Sequence, residues 1–345
     1  MLRKAITKLI EGKNLSEAEI VEALSCIMEG KATQAQIGSF ITALRIKGET
    51  TEEITGCARV MREKAEKISP KVEYYIDTCG TGGDCTNTFN ISTAVAFVAA
   101  AGGVAVAKHG NRSVSSRSGS ADVLEVLGAN IDLSPIQVKE CIEQVGIGFM
   151  YAPAFHKSMK YAAGPRKELG IRTVFNILGP LTNPANARGQ LLGVFNEKLT
   201  EPVAKVLLNL GVERAMVIHG MDGMDEITTT TATKVSEVRD NEVTNYEINP
   251  ESYGFKLVSK EDLTGKDAKE NAQIILGIFN GDKGCKRDIV VLNSAAALYV
   301  GKVASCIEEG IVHAQEIIDS QKALKKLNEF IDMTNSFLER KVLSS

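Results

Sequence analysis

The sequence predicts an α/β protein in two parts: a small all-helical domain, then a larger domain with a central, mostly parallel mixed sheet. Two observations predict it. Residues 1–70 carry only helical periodicity, and beyond Pro70 short apolar runs alternate with helical ones, the pattern of strands joined by crossover helices. A third observation refines the boundary. The segment 152–186 holds Pro153, Pro165, Pro180 and Pro184 and fits the alternation poorly. It is expected to leave the sheet and add a discontinuous piece to the helical domain, so the domains read as 1–70 and 71–345, with a cleft between them.

Each element has its own warrant. Ser16-x-x-Glu19, Thr33-x-x-Gln36 and Thr50-x-x-Glu53 are capping boxes. They open amphipathic helices, the third expected to run through Ile68 to Ser69-Pro70, because the residue before proline disfavours helix. Strands are expected at Val72–Ile76, Val104–Ala107, Ile147–Tyr151, Gln190–Phe195 and Ala215–His219. Helices are expected from about Asn90 to Ala101, at Ala121–Leu127, after Ser134-Pro135, and at Pro202–Leu210. Residues 227–257 read as locally antiparallel. From Lys266 the pattern is helical except for Asp288–Leu292, read as a strand.

Composition narrows the function classes. The 345 residues are 44% hydrophobic and 24% charged, with 40 cationic and 43 anionic side chains. A net charge of −3 argues against a dedicated nucleic-acid binder. No apolar run reaches the length of a membrane span, and the N-terminus lacks the apolar core of a secretory signal. Seven scattered cysteines without a C-x-x-C pair suit reduced thiols. A soluble, cytoplasmic protein is expected.

Four loops carry chemistry. The first, Asp77 to Asp84, places three glycines in the four positions 80–83 between a strand and a helix. Such a loop lets backbone N–H groups approach phosphate oxygens; a tight turn is the plainer reading. Asn90-Ile91-Ser92-Thr93 stands where the next helix begins, a ready anion site, although Asn90 could simply be an N-cap. The second loop, Lys108 to Ser120, holds five serines and three cations and only one apolar residue, Val114. It reads as an oxyanion cradle, with His109 lining a pocket. In the third, Arg166 follows Gly164-Pro165, read as a rigid turn that presents a guanidinium to a carboxylate or phosphate. A surface salt bridge is equally compatible with that spacing. The fourth, His219 to Glu226, sets adjacent carboxylates Asp225 and Glu226 on a Gly-rich loop where both can reach a hard cation such as Mg²⁺. An exposed acidic turn is the plainer alternative. No nucleophile–base arrangement stands out, which suits electrostatic catalysis without a covalent nucleophile.

Together, Gly80-Thr81-Gly82-Gly83-Asp84, Asn90-x-Ser92-Thr93, Lys108-His109-Gly110-Asn111-Arg112-x-x-Ser115-Ser116, Gly164-Pro165-Arg166-x-x-Leu169-Gly170-x-Arg172-Thr173-x-Phe175-Asn176-x-Leu178-Gly179-Pro180-Leu181-x-Asn183-Pro184 and the Asp225-Glu226 loop resemble the anthranilate phosphoribosyltransferase family. The resemblance spans the chain. It implies a Mg²⁺-dependent homodimer of tryptophan biosynthesis, with the fold shared by class II nucleoside phosphorylases and the helical domain hinged over the active site. The reaction implied is transfer of 5-phosphoribose from phosphoribosyl pyrophosphate (PRPP) to the amine of anthranilate. It assigns Gly80, Gly83, Asp84, Thr88, Asn90, Ile91, Ser92 and Thr93 to PRPP, with Gly80 also near anthranilate. Lys108, His109, Gly110, Asn111, Arg112, Ser113, Val114, Ser115, Ser116 and Ser120 match the PRPP loop. Asn111 and Arg166 match the anthranilate contacts, and Ser92, Asp225 and Glu226 the Mg²⁺ ligands. Two alternatives stand beside it: a pyrimidine (class II) nucleoside phosphorylase, and a non-catalytic relative that binds nucleic acid.

Overall fold

In the computed structural model, which describes residues 2–84, 86–113 and 118–343, the three sequence-predicted capping boxes all form. They start α2 (Glu17–Met28), α3 (Gln34–Lys47) and α4 (Thr51–Lys64). Ahead of them runs α1 (Leu2–Ile10), which the sequence reading missed. Glu53 does more than cap α4. It is wholly buried, its Oε1 accepts from Leu15 N (2.8 Å), and its Oε2 pairs with Lys47 Nζ (2.8 Å), joining α3, α4 and the turn before α2. The helix α4 ends at Lys64, short of Ile68. Ala65 turns extended, Glu66 N donates to Phe155 O (2.9 Å), and Ile68 N donates to Pro184 O (3.3 Å).

The α/β layer follows: β1 (Tyr75–Gly80), α5 (Ile91–Ala101), β2 (Ala105–Gly110), α6 (Ser120–Val126), α7 (Pro135–Val145) and β3 (Ile147–Tyr151). The chain then leaves the sheet through α8 (Ala152–Phe155), α9 (Lys160–Leu169) and α10 (Phe175–Leu181), as expected. It returns as β4 (Gly189–Gly193), α11 (Thr200–Asn209), β5 (Arg214–Gly220), β6 (Thr233–Arg239) and β7 (Glu242–Ile248). Four helices close it: α12 (Ala268–Phe279), α13 (Cys285–Val300), α14 (Ile307–Asp319) and α15 (Lys322–Leu343). Asp288–Leu292 is therefore helical. Residues 289–300 of α13 are all buried, between α5 and α14, so no polar face marks its period. No described helix is long and apolar enough to cross a membrane.

The strands order as β3-β2-β1-β4-β5-β6-β7, parallel through β5 and antiparallel beyond. Neighbouring residues of the central strands face opposite cores. Leu191, Met216 and Ile218 join the larger cluster with α5 and α13, while Leu192, Ala215 and Val217 join the cluster of α1–α4 and α11. The winding direction reverses between β1 and β4, and α/β sheets bind ligands outside the carboxyl ends of the strands at such a switch point.

Candidate active site

The strand β1 begins three residues beyond the expected Val72, so Asp77, Thr78, Cys79 and Gly80 lie on the strand and the loop proper begins at Thr81. Gly82 and Gly83 both take left-handed conformations (φ 63° and 72°). That turn aims Gly82 N at Asp225 Oδ2 (2.8 Å). One helix over, Ser92 N, in the first turn of α5, donates to Glu226 Oε1 (3.1 Å). The two carboxylates therefore stand against the glycine loop and a helix N-terminus at the switch point.

Contact there is close. A Cβ on Gly80 would come within 2.3 Å of Asp225 Oδ2, and one on Gly193 within 1.5 Å of the Asp225 carbonyl oxygen. Both strand ends are glycine because Asp225 occupies that volume. Asp222 shapes the loop itself, accepting from Met224 N (3.1 Å) and Thr228 Oγ1 (2.8 Å).

The electrostatics are those of a concentrated anion pair. Burial, then the charge of Asp84, raises the Asp225 carboxyl above its ordinary value; burial, then Asp225, raises Glu226. The compensating cation is Lys108 on β2, which is 3% exposed and reaches Ser92 Oγ (3.3 Å) and the Thr78 carbonyl. Burial lowers the Lys108 ammonium and raises its neighbour Asp77. Asp77 is held by His109 N (3.1 Å) and Asn183 Nδ2 (2.7 Å). Among the described residues no group of three or more His, Cys, Asp or Glu side chains forms a metal cage. The anionic surplus of Asp84, Asp225 and Glu226, with the Ser92 hydroxyl beside it, fits a hard cation that takes its other oxygens from a ligand.

Asn90 is not the cap that its position suggests. It makes no side-chain capping bond. Its Oδ1 accepts from Asn271 Nδ2 (2.9 Å) and Ser118 Oγ (3.3 Å), and its Nδ2 donates to Ser118 O (3.2 Å). It pins the serine-rich loop and α12 to the start of α5. Thr88 bridges to Thr264, Ile91 is buried, and Thr93 is buried with an unpaired hydroxyl.

In the second loop, Lys108, His109 and Gly110 complete β2. The Asn111 carbonyl accepts from Ala121 N (3.2 Å) and Ser120 Oγ (3.4 Å), and Ser113 N donates to Asp122 Oδ2 (3.1 Å). Arg112 turns away from the carboxylate pair. It ion-pairs with Glu125 (2.5 Å) and Asp122 (3.0 Å) and lies over Tyr151. Val114, Ser115 and Ser116 lie outside the described residues.

The third motif needs a correction. Gly164 and Pro165 are inside α9, not in a turn, and Arg166 sits in its last turn. Its guanidinium lies over Phe175, 5.0 Å from the ring centre, where burial lowers its pKa. It has no carboxylate partner among the described residues. The residue of this motif that reaches the glycine loop is Arg172, which donates to Gly83 O and stacks on Phe195 at 4.3 Å. Arg172 and Gly193 were missed as site residues; the only signal for Gly193 is a glycine ending an apolar strand.

Behind the loop, the His109 and His156 rings stand 5.0 Å apart. Burial pushes His109 down to about 3 and His156 down to about 4. Both are neutral when folded, so the unfolded chain binds more protons below pH about 6.5, and stability falls as pH drops from there toward 4. Urea unfolding is expected to show a loss of about 2 kcal/mol per ring between pH 7 and 5. His156→Leu should show a shallower fall than the native chain; parallel profiles would refute the buried neutral pair.

Two family models match the chain: the glycosyl transferase family a/b domain over residues 73–324, and the glycosyl transferase family helical bundle domain over residues 3–65. The class is thus that of a glycosyl transferase. An anthranilate phosphoribosyltransferase of Acetivibrio thermocellus is 79% identical, over 100% of both chains, and that of Alkaliphilus metalliredigens is 60% identical over 97% and 98%. The crystal structure of the Thermus thermophilus enzyme superposes with a TM-score of 0.91 at 40% identity, covering 96% of this chain and 99% of that one. The Saccharomyces cerevisiae enzyme in complex with PRPP and Mg gives 0.89 at 28% identity, covering 97% and 98%. The chain belongs to the anthranilate phosphoribosyltransferase family.

Proposed function

We propose that this chain transfers 5-phosphoribose from PRPP to the amine of anthranilate, releasing pyrophosphate, in tryptophan biosynthesis. The observation that carries the reading is the carboxylate pair, Asp225 and Glu226, hydrogen-bonded to the glycine loop and to the N-terminus of α5 at the switch point. Asp225, Glu226 and the Ser92 hydroxyl would hold Mg²⁺, which when bound supplies positive charge for the departing pyrophosphate.

The chain's own groups do the rest. The Gly82 and Ser92 N–H groups orient the two carboxylates toward the cleft, and Lys108 stands beside them as fixed positive charge for the phosphates. Arg166 holds the anthranilate carboxylate and so aims the amine at the anomeric carbon. There the C–N bond forms as the C–O bond to pyrophosphate breaks, through an oxocarbenium-like transition state. An aromatic amine is neutral at pH 7, so no residue need act as a strong base, and no covalent nucleophile is used. Arg112, tied to α6, holds the loop rather than the ligand.

Supporting the substrate reading, the Saccharomyces cerevisiae relative has structures in complex with PRPP and Mg and with 4-fluoroanthranilate. Residues 1–70 with 152–186 form, in this reading, the helical domain that closes over the cleft; the packing of α9 on α2 and α3, and of α10 on α4, supports it. The enzyme works as a cytoplasmic homodimer. The contacting helices α1 and α3 expose Ile10 (72%) and Ile46 (81%), which supports a shared apolar face there.

Anthranilate fluorescence followed with protein, PRPP and Mg²⁺ tests the reaction: decay should require all three, and a flat trace refutes it. Arg166→Ala is expected to raise KM for anthranilate about tenfold or more and KM for PRPP little, measured by steady-state kinetics. Equal effects on both would overturn the carboxylate role.

A further inference from the structure

A cationic cavity lies away from the carboxylate pair, in the seam between α4, the C-terminal end of α11 and residues 186–187. It has a volume of about 500 Å³ and is lined by Arg59, Arg62, Lys67, Asn186 and Asn209, with Glu63 the one acidic residue in its wall. That volume suits a small molecule.

The charges are unequal in their partners. Arg59 is spoken for: it pairs with Glu17 (3.1 Å) and donates to Asn209 O (3.1 Å). Arg62 is not. Its Nε donates to the Leu181 carbonyl (2.8 Å), and no carboxylate among the described residues lies within ion-pair distance of its guanidinium. Protein encloses that side chain so far that burial pushes its pKa down to about 10. Lys67, exposed at the rim, also has no ion-pair partner among the described residues. A half-buried guanidinium answered by one carbonyl keeps N–H donors for an anion that enters the cavity.

We propose that this cavity is a binding site for a small phosphate-type oxyanion, gripped by Arg62 and Lys67, separate from the phosphate-binding loops of the active site. The guanidinium presents a planar fork, matched to two oxygens of a tetrahedral anion, and the lysine adds a point charge. The site has no part in the transfer step, so its loss leaves basal turnover unchanged.

The test uses the full chain and inorganic phosphate in Mg²⁺-free buffer, followed by isothermal titration calorimetry, with crystals soaked in tungstate to locate the anion. Wild type should show tungstate between Arg62 and Lys67, and two classes of phosphate site. Lys67→Gln, a change at the exposed rim, should weaken one class about tenfold, and Arg62→Met should abolish it while the other persists. Absence of tungstate density in the seam, or a wild-type isotherm for Lys67→Gln, overturns the proposal whatever Arg62→Met does to folding.

Discussion

Replacing Asp225 by Asn together with Glu226 by Gln is expected to lower kcat about 100-fold or more and to raise the Mg²⁺ concentration needed for half-maximal rate. The isosteric amides keep the volume that Gly80 and Gly193 leave for Asp225. What they remove is charge. Because burial and mutual repulsion disfavour both carboxylates in the folded chain, the same double variant should melt no lower than the native protein. Activity then falls without a fall in stability, a signature that a misfolded variant does not give. Kinetics unchanged across a Mg²⁺ titration would refute the metal role.

The second large effect comes from a single methyl group. Gly193→Ala places a Cβ 1.5 Å from the Asp225 carbonyl oxygen and 2.3 Å from its carbonyl carbon, both backbone atoms. No rotamer change relieves that contact. The strand cannot retreat either, since Gly193 O accepts from Thr81 N (2.9 Å) and Val194 N donates to Ile218 O (2.9 Å). The acidic loop must therefore shift by about 2 Å to regain van der Waals separation. A displacement of that size at a reacting centre costs about 100-fold in rate. Overpacking should also lower stability by about 1–3 kcal/mol, read from thermal or urea unfolding. A Gly193→Ala enzyme with native kcat and melting temperature would mean that Asp225 does not sit where the structure puts it.

The fold was legible wherever local chemistry was explicit. The Ser16, Thr33 and Thr50 boxes marked helix starts to the residue, and the Ser134-Pro135 start held as well. It was illegible where burial erased the pattern: within α13, the stretch Asp288–Leu292 reads as a strand because the residues that follow are buried all round. The helix α1 had a usable stripe in Leu2, Ala5 and Leu9 but no cap to announce it. In the site, the loops were readable by composition and their cross-links were not. Nothing local says that Asn90 would bond Asn271, that Arg172 would reach Gly83, or that Arg112 would prefer Glu125 to the cleft. Those are choices among partners made in three dimensions.

Asn90 also bears on how the enzyme comes into being. Its partners are 28 and 181 residues away, and the Gly82–Asp225 and Ser92–Glu226 bonds span 143 and 134. Contacts of such separation form late, after the loop-closure entropy has been met by the rest of the layer. A chain emerging from the ribosome cannot tie Asn90 to α12 until residue 271 is free to fold. A half-made chain would thus have no competence toward an activated sugar phosphate, and truncated fragments would be inert rather than wasteful hydrolases.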